Sequence, residues 1–295
     1  MSREAIMRRI FTFWENPRGL PGYLKLCLET WRKFLPEYEI VVLNYANLDQ
    51  WIGQDCYDPS LYINFSLPKQ ADAVRCAVLK RWGGVWFDAD TIVTSDKAGD
   101  LLNQESDFVL LGTHIGFIVA RKNAYVLRKW EQGIKWRILA YKFCRDCGLK
   151  GRRLERWDYM GNLILNDILK KCQTLKEFKS LDRKKIKAPP EVNSAAGPDA
   201  RPSLMIKAGM LAAKLLLHIG QKPFVIIGAG LEGLMRRMVY RDFYFGRDAS
   251  DYALGNSGGL ICLHHSWTPG KYKNMSQDEF LRQNITLANI FKKLL

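Results

Sequence analysis

Residues 70 to 93, QADAVRCAVLKRWGGVWFDADTIV, constrain this chain more than any other stretch. Ala71, Val74, Val78, Leu79 and Trp82 recur at helical spacing and Pro68 suits a first turn, so a helix is predicted from about Leu67 to Trp82. Gly83-Gly84 stops it, and Val85, Trp86 and Phe87 then form a short buried strand that runs into Asp88-Ala89-Asp90. On the helix, Asp72 and Arg75 are three residues apart and share a face, so they can meet one ligand or each other. Strand alternation predicts that Asp88 and Asp90 point to one side of the backbone. Like charges this close repel unless a cation lies between them, and hard oxygen donors at this spacing suit Mg²⁺ or Mn²⁺ carrying a diphosphate. An Asp-x-Asp triplet by itself caps many turns; the weight rests on the whole string.

The flanking sequence builds a frame for that corner. Arg9 to Trp14 reads as a strand, Pro21 to Phe34 as a helix with Leu24, Leu28 and Trp31 inward, and Tyr38 to Leu43 as a second strand, together a parallel βαβ unit. Trp14 ends the first strand, the edge at which open α/β sheets bind ligands, so its indole can stack on a nucleobase; core packing explains it equally well on residues alone. The polar, aromatic segment from Asn44 to Ser66 is expected to cover the edge of a nucleotide pocket. Beyond the acidic pair, Asp107 to Leu111 and Ile115 to Ala120 read as strands joined around Gly112-Thr113-His114. Asn123 to Tyr141 and Leu163 to Leu169 read as helices. The fold class is therefore α/β: a mixed, mostly parallel central sheet flanked by helices, with helical C-terminal additions, in one domain spanning 1–295.

Charge bears on partners. The formal net charge is +15, and between Tyr141 and Lys187 fourteen Lys or Arg face six Asp or Glu. Such a stretch faces nucleic acid, anionic lipid or water, and no nucleic-acid motif accompanies it. Seven scattered cysteines with no secretory signal ahead of them predict a reduced, cytoplasmic setting, and Cys144-x-x-Cys147 lacks the second pair a zinc site needs. Lys187 to Pro202 reads as a loop. Ser203 to Ile219 is a largely apolar helix, too short and too charged for a comfortable membrane span; it either packs on the fold or lies flat on a bilayer.

Two C-terminal runs complete the inventory. Phe224 to Gly233 matches Gly228-x-Gly230-x-x-Gly233 after an apolar run read as a strand, the fingerprint of a dinucleotide site, so a nicotinamide-dependent oxidoreductase is one alternative. A second acidic strand end about 20 residues on is missing from it. A basic membrane- or nucleic-acid-binding protein is the other alternative. From Leu260 to Lys273 an apolar strand ends in His264-His265, followed by Trp267 and a Gly270-Lys271 turn. Adjacent histidines point to opposite sides, so one of the two faces any ligand.

Taken together, Ala71-Asp72, Arg75, Arg81-Trp82-Gly83-Gly84, the aromatic strand and Asp88-x-Asp90 resemble the DXD glycosyltransferases of the capsular-polysaccharide and mannosyltransferase-like type, a group distantly similar to the glucosylating clostridial toxins. The likeness covers roughly residues 8 to 120 well and the C-terminal third in pieces. It implies a GT-A-like, Rossmann-type domain with a nucleotide-sugar half (1–120) and an acceptor and closing half (121–295). It further implies a retaining transfer from a nucleotide-diphosphate sugar, a UDP-sugar by resemblance, to a saccharide or lipid-linked acceptor in surface polysaccharide synthesis. Asp88 and Asp90 become the catalytic and metal-holding pair for Mn²⁺ or Mg²⁺, completed by His264 or His265. The donor would meet Trp14, Asp72, Arg75, Trp86, Asp88, Trp267 and Lys271. His114 and Asp158 are acceptor-side candidates, a surface histidine and a helix cap being their plainer readings. The expected setting is cytoplasmic, with peripheral contact at the inner membrane face and no nucleic acid.

Overall fold

The computed structural model describes residues 8–53, 64–111, 114–148, 156, 158–172, 178–181, 204–219, 222–246 and 248–295. The loop expected over Lys187 to Pro202 lies outside them, as does much of the segment expected to cover the nucleotide pocket. From the N-terminus the chain forms β1 (Arg9–Phe13), α1 (Gly22–Phe34), β2 (Glu39–Leu43), α2 (Leu48–Ile52) and α3 (Leu67–Trp82). Next come β3 (Gly84–Phe87), β4 (Thr91–Val93), α4 (Ala98–Leu102), β5 (Phe108–Leu111), β6 (His114–Ala120) and α5 (Tyr125–Asp146). They are followed by α6 (Asn162–Cys172), β7 (Phe178–Leu181), α7 (Leu204–Ile219), α8 (Lys222–Phe245) and α9 (Ser250–Gly255). The C-terminal run is β8 (Leu260–Cys262), a 3₁₀ turn at His265–Trp267, α10 (Gly270–Lys273), α11 (Gln277–Leu281) and α12 (Thr286–Leu294). Two compact units result: Met1–Leu20, Phe34–Thr91 and Asp96–Lys185 in one, Pro21–Lys33, Ile92–Ser95 and Ile186–Leu295 in the other.

The first unit is built on a six-stranded sheet of order β2-β1-β3-β6-β5-β7. β1 pairs parallel with β2 and β3, β6 runs antiparallel to both β3 and β5, and β5 pairs parallel with β7. The mixed, mostly parallel sheet flanked by helices is the one expected. Every residue of β3 and β5 is buried, which is why they read as continuous apolar runs rather than alternating ones. Helix α3 contributes Ala73, Val74, Ala77 and Val78, each at most 1% exposed, and a thiol, Cys76 Sγ, that donates to the Leu127 carbonyl of α5 at 3.5 Å. Lys80 and Glu131 tie the same two helices at 2.8 Å. On the far side of α5, the Trp130 indole donates to the Met160 carbonyl at 2.7 Å, while Gly133 leaves the gap that the Ile164 side chain of α6 occupies.

The second unit holds α1 and the C-terminal elements around the two-stranded β4-β8 sheet. Gly22 lies against the backbone of Ser276 and donates its N–H to the Met275 carbonyl at 3.2 Å, a closeness that excludes a side chain. Thr30 accepts from the Val93 N–H at 3.0 Å, so an otherwise costly buried hydroxyl is satisfied. A full capping box at Ser276 and Glu279 starts α11, and Phe280, Leu287, Ile290 and Phe291 close the core. The predicted βαβ opening is correct in strand direction, yet its helix clusters with the second unit.

One expectation is corrected. Phe224 to Ile227 is not a strand: with Gly228, Gly230 and Gly233 it lies inside the continuous helix α8, and none of the three glycines adopts the left-handed backbone. A short apolar run bounded by glycine is ambiguous between strand and helix, and here Met235, Val239 and Tyr240 continue a buried helical stripe. The oxidoreductase alternative loses the strand–turn–helix geometry it needed.

Gly83 and Gly19 separate two costs. Both have left-handed φ, +70° and +72°, but a Cβ on Gly83 would come within 2.7 Å of the Lys122 N whereas Gly19 has open space. Gly19→Ala is expected to cost about 1–2 kcal/mol from backbone strain alone. Gly83→Ala should lose a further amount of about 1–3 kcal/mol from overpacking. Denaturation midpoints check this; equal losses would rule out the steric contribution.

Candidate active site

Helix α3 carries Asp72 and Arg75 one turn apart into the first unit, where the Arg75 side chain is almost wholly buried. A bare guanidinium there would be very costly, and three neighbours offset that cost. Its Nη2 donates to Asp88 Oδ1 at 2.7 Å, its Nη1 lies 3.3 Å from Asp72 Oδ1, and its carbon stands 4.8 Å from the centroid of the Trp86 ring. The Trp86 indole N–H donates to the same Asp88 oxygen at 2.9 Å. Trp86 therefore acts through both its face and its edge.

Two glycines make room for the carboxylates. A Cβ on Gly116 of β6 would sit 2.5 Å from Asp88 Oδ2 and 2.5 Å from His114 Nε2, so both groups converge on that bare backbone. A Cβ on Gly161 would collide with Asp72 Oδ2. The Asp88 N–H donates to the Gly116 carbonyl at 2.8 Å, and Thr91 N–H closes a turn onto the Asp88 carbonyl at 2.9 Å. Asp88 and Asp90 are thus neighbours in a tight turn between β3 and β4, where strand alternation was expected to align them. Asp90 is half-buried and Asp88 keeps its side chain 34% exposed.

Burial drives the Asp72 carboxyl up to about 7; Arg75 opposes the shift, while the charges of Asp88 and Asp158 add to it. Asp158 is held below the usual range, first by its hydrogen bonds from Arg156, which grips both of its oxygens at 2.9 and 2.8 Å. The two buried carboxyls are thus shifted in opposite directions, Asp72 upward by burial and Asp158 downward by Arg156; a carboxyl can donate a hydrogen bond only in its protonated form.

The same sheet edge carries Trp14. β1 and β3 are parallel neighbours with Phe11 beside Trp86, so the residues after both strands emerge together. Trp14 is half-buried, its backbone N–H on the Leu43 carbonyl at 2.9 Å and its indole N–H on the Gly19 carbonyl at 3.1 Å. Tyr45 follows β2 at this edge, with its hydroxyl donating to Gln70 at 2.6 Å. Tyr45, Gln70 and Gly161 escape sequence reasoning: nothing in their spacing marks them, and only the packing of β2, α3 and α6 reveals their places.

In the second unit the His264 and Trp267 rings are tilted with centroids 4.3 Å apart, and Tyr240, whose hydroxyl accepts from the His264 N–H at 3.1 Å, stands edge-on to both at 5.8 and 5.5 Å. His265 Nδ1 lies 2.5 Å from the Tyr23 hydroxyl, and burial, with help from Lys273, pushes its pKa down to about 4. His265 is thus the neutral ring of fixed orientation. Lys271 is exposed at the start of α10, its ammonium 4.6 Å from the Tyr272 ring centroid.

Among the described residues no group of three or more His, Cys, Asp or Glu is arranged to hold a metal ion. The Asp88 and Asp90 pair still fits a cation of the Mg²⁺ or Mn²⁺ kind, which binds through one or two carboxylates and takes its other ligands from phosphates and water. Hard oxygens in one turn are the right donors.

Asp72 generates a pH test. A carboxyl whose folded pKa is raised keeps its proton in the folded state and loses it in the unfolded one, so its contribution to stability falls as pH rises from about 4 to about 7 and is level above that. Asp72→Asn should remove that slope, worth at most about 1.4 kcal/mol per pH unit for one proton. Urea denaturation of both proteins across this range measures it; a difference that does not change with pH would show Asp72 titrating normally.

Comparison with known proteins adds to this geometry. No curated protein matches the chain. Among solved structures, one described as PaToxG Glycosyltransferase is 16% identical, with a TM-score of 0.41, over 58% of this chain and 69% of its own. The model of the family described as capsular polysaccharide synthesis protein matches residues 2–138. Over residues 2–138, a span that includes Asp72, Arg75, Asp88 and Asp90, the chain is similar to the capsular polysaccharide synthesis family, as its sequence led one to expect.

Proposed function

We propose that this protein is a metal-dependent glycosyltransferase of GT-A-like fold, moving a sugar with retention from a UDP-sugar to a saccharide or lipid-linked saccharide in surface polysaccharide synthesis. The observation that supports this reading best is the clamp of Arg75, Trp86 and Asp88 beside Asp90 at the strand ends of a parallel pair. The family match over residues 2–138 supports the same reading.

Asp88 and Asp90 would hold Mn²⁺ or Mg²⁺, which when bound supplies electrophilic stabilisation of charge on a departing diphosphate. Arg75 orients Asp88 and contributes a second positive charge, preset by its buried contacts with Asp88 and Asp72 and so needing no rearrangement during reaction. Asp72, whose carboxyl burial raises to about 7, would in its protonated form donate a hydrogen bond to a donor-sugar hydroxyl, which an ionised carboxylate could not do. Trp14 would offer a flat apolar surface for the base, and His114 and Asp158 would serve the acceptor side. No side chain in the clamp is placed as an enzymic nucleophile, so same-face attack by the acceptor hydroxyl is the default mechanism. The roles expected of His264, His265, Trp267 and Lys271 belong to the same proposal and are tested by the same assay.

A panel of sugar nucleotides, incubated with the protein and Mn²⁺ in the absence of acceptor, should show slow hydrolysis of one donor that chelation abolishes. Asp90→Asn should lower that turnover by about 10²–10³-fold, the scale of losing one electrostatic stabiliser, with the thermal transition unchanged. Undiminished turnover in the variant, or hydrolysis indifferent to chelator, would overturn the assignment.

A further inference from the structure

Helix α7 and the glycine-rich run of α8 play no part in the clamp, and the two helices pack against each other. Gly209 of α7 lies against the Met235 side chain of α8, and Gly228 of α8 would meet the Ala213 carbonyl at 3.0 Å were it to carry a Cβ. Early residues of one helix thus face late residues of the other, an antiparallel pair closed by small residues. Its large apolar side chains are consequently left outside. Leu211 and Leu215, one turn apart on α7, are 61% and 60% exposed, and Ile227 and Leu234, two turns apart on α8, are 57% and 51% exposed.

The two ends of α8 differ. Its C-terminal half is rooted in the second unit: Tyr240, Phe243 and Tyr244 are buried, and Phe245 stacks on Tyr272 with ring centroids 4.8 Å apart. Its N-terminal half has α7 for company and carries the exposed apolar stripe, which turns basic at Arg237 as it nears the root. Charge around the stripe is one-sided. From Leu204 to Arg241 the sequence holds six Lys or Arg and a single acid, Glu232, whose carboxylate is engaged by Arg236 at 2.7 Å. No helix among the described residues is long and apolar enough to cross a membrane.

We propose that α7 and α8 form a membrane-interface hairpin, with Leu211, Leu215, Ile227 and Leu234 entering the acyl boundary of an anionic phospholipid bilayer while Lys214, Arg236 and Arg237 meet headgroup phosphates. An apolar stripe rimmed by cations asks for a partner that is both apolar and broadly anionic, and such a surface meets both demands at once. On such a surface the stems of long basic side chains can lie over the apolar face while their charges reach the phosphates. This surface is independent of the sugar-transfer reading, since none of its residues belongs to the clamp.

Sedimentation of the full chain with vesicles of phosphatidylcholine alone, or of phosphatidylcholine mixed with phosphatidylglycerol, tests the proposal. The wild type should pellet with the mixed vesicles and much less with the neutral ones, and added salt should weaken the binding. Leu211→Glu with Leu215→Glu should reduce partitioning at least tenfold, an order-of-magnitude expectation from apolar area withdrawn. Arg236→Gln and Arg237→Gln should each reduce it about fivefold. Unchanged thermal transitions would show that these exposed-site variants fold. Wild type that stays in the supernatant with mixed vesicles, or leucine variants that pellet like wild type, would overturn the proposal. So would a dimer seen by light scattering that the leucine variants dissociate in the absence of any vesicle binding, because a second copy would then cover the face.

Discussion

The first unit depends on one buried guanidinium. Arg75 sits among Asp72, Asp88 and the Trp86 ring, where desolvation alone would expel it, and removing a partner from such a cluster typically costs about 3–5 kcal/mol. Because it is held from three sides, it fixes α3 against β3 and fixes the Asp88 carboxylate at the strand end. The same cluster has too few positive charges for its acids. Arg75 serves Asp88 at close range, and burial, with the charges of Asp88 and Asp158 adding to it, raises the Asp72 carboxyl to about 7. Gly116 and Gly161 are part of this arrangement, since any side chain there would occupy the space the carboxylates use.

The sheet brings these groups to one edge. Parallel pairing of β2, β1 and β3 makes their carboxyl ends coincide, so Tyr45, Trp14 and the Asp88 turn follow strands that stop together. Antiparallel β6 then returns along β3 and delivers Gly116 and His114 to the same place. Aromatic surface, buried cation and acidic turn are therefore consequences of strand direction, not of separate local designs.

Glycine has opposite uses in the two units. At Gly83 and Gly84 it gives the left-handed backbone that ends α3 and starts β3, close to the Lys122 backbone. In α8 the glycines are helical; Gly228 permits close approach to α7, and Gly230 and Gly233 have open space around them. A spacing of glycines that in another context cradles a phosphate here serves a helix hairpin, and the side chains displaced from its seam become an exposed apolar surface.

Much was legible in residues alone because it is local. Helical spacing from Leu67 to Trp82, the Gly-Gly stop and the unbroken apolar runs of β3 and β5 follow from short-range sterics and burial on both faces, and the family resemblance rode on that contiguous string. What sequence could not decide is anything set by contacts far apart in the chain. The apolar run at Phe224 fits strand and helix equally, and it became part of one long helix whose Gly228 lies close against α7. Asp88 and Asp90 were expected to align by alternation, but the hydrogen bond from Thr91 to Asp88 turned them into a tight turn. The near-neutral pKa of Asp72 and the contribution of Gly161 arise from an environment assembled by α3, β6 and the approach to α6, elements up to 90 residues apart. Local residue order determined which groups of the clamp exist; tertiary burial decided their charge, because the cost of a charge depends on how much water its surroundings admit.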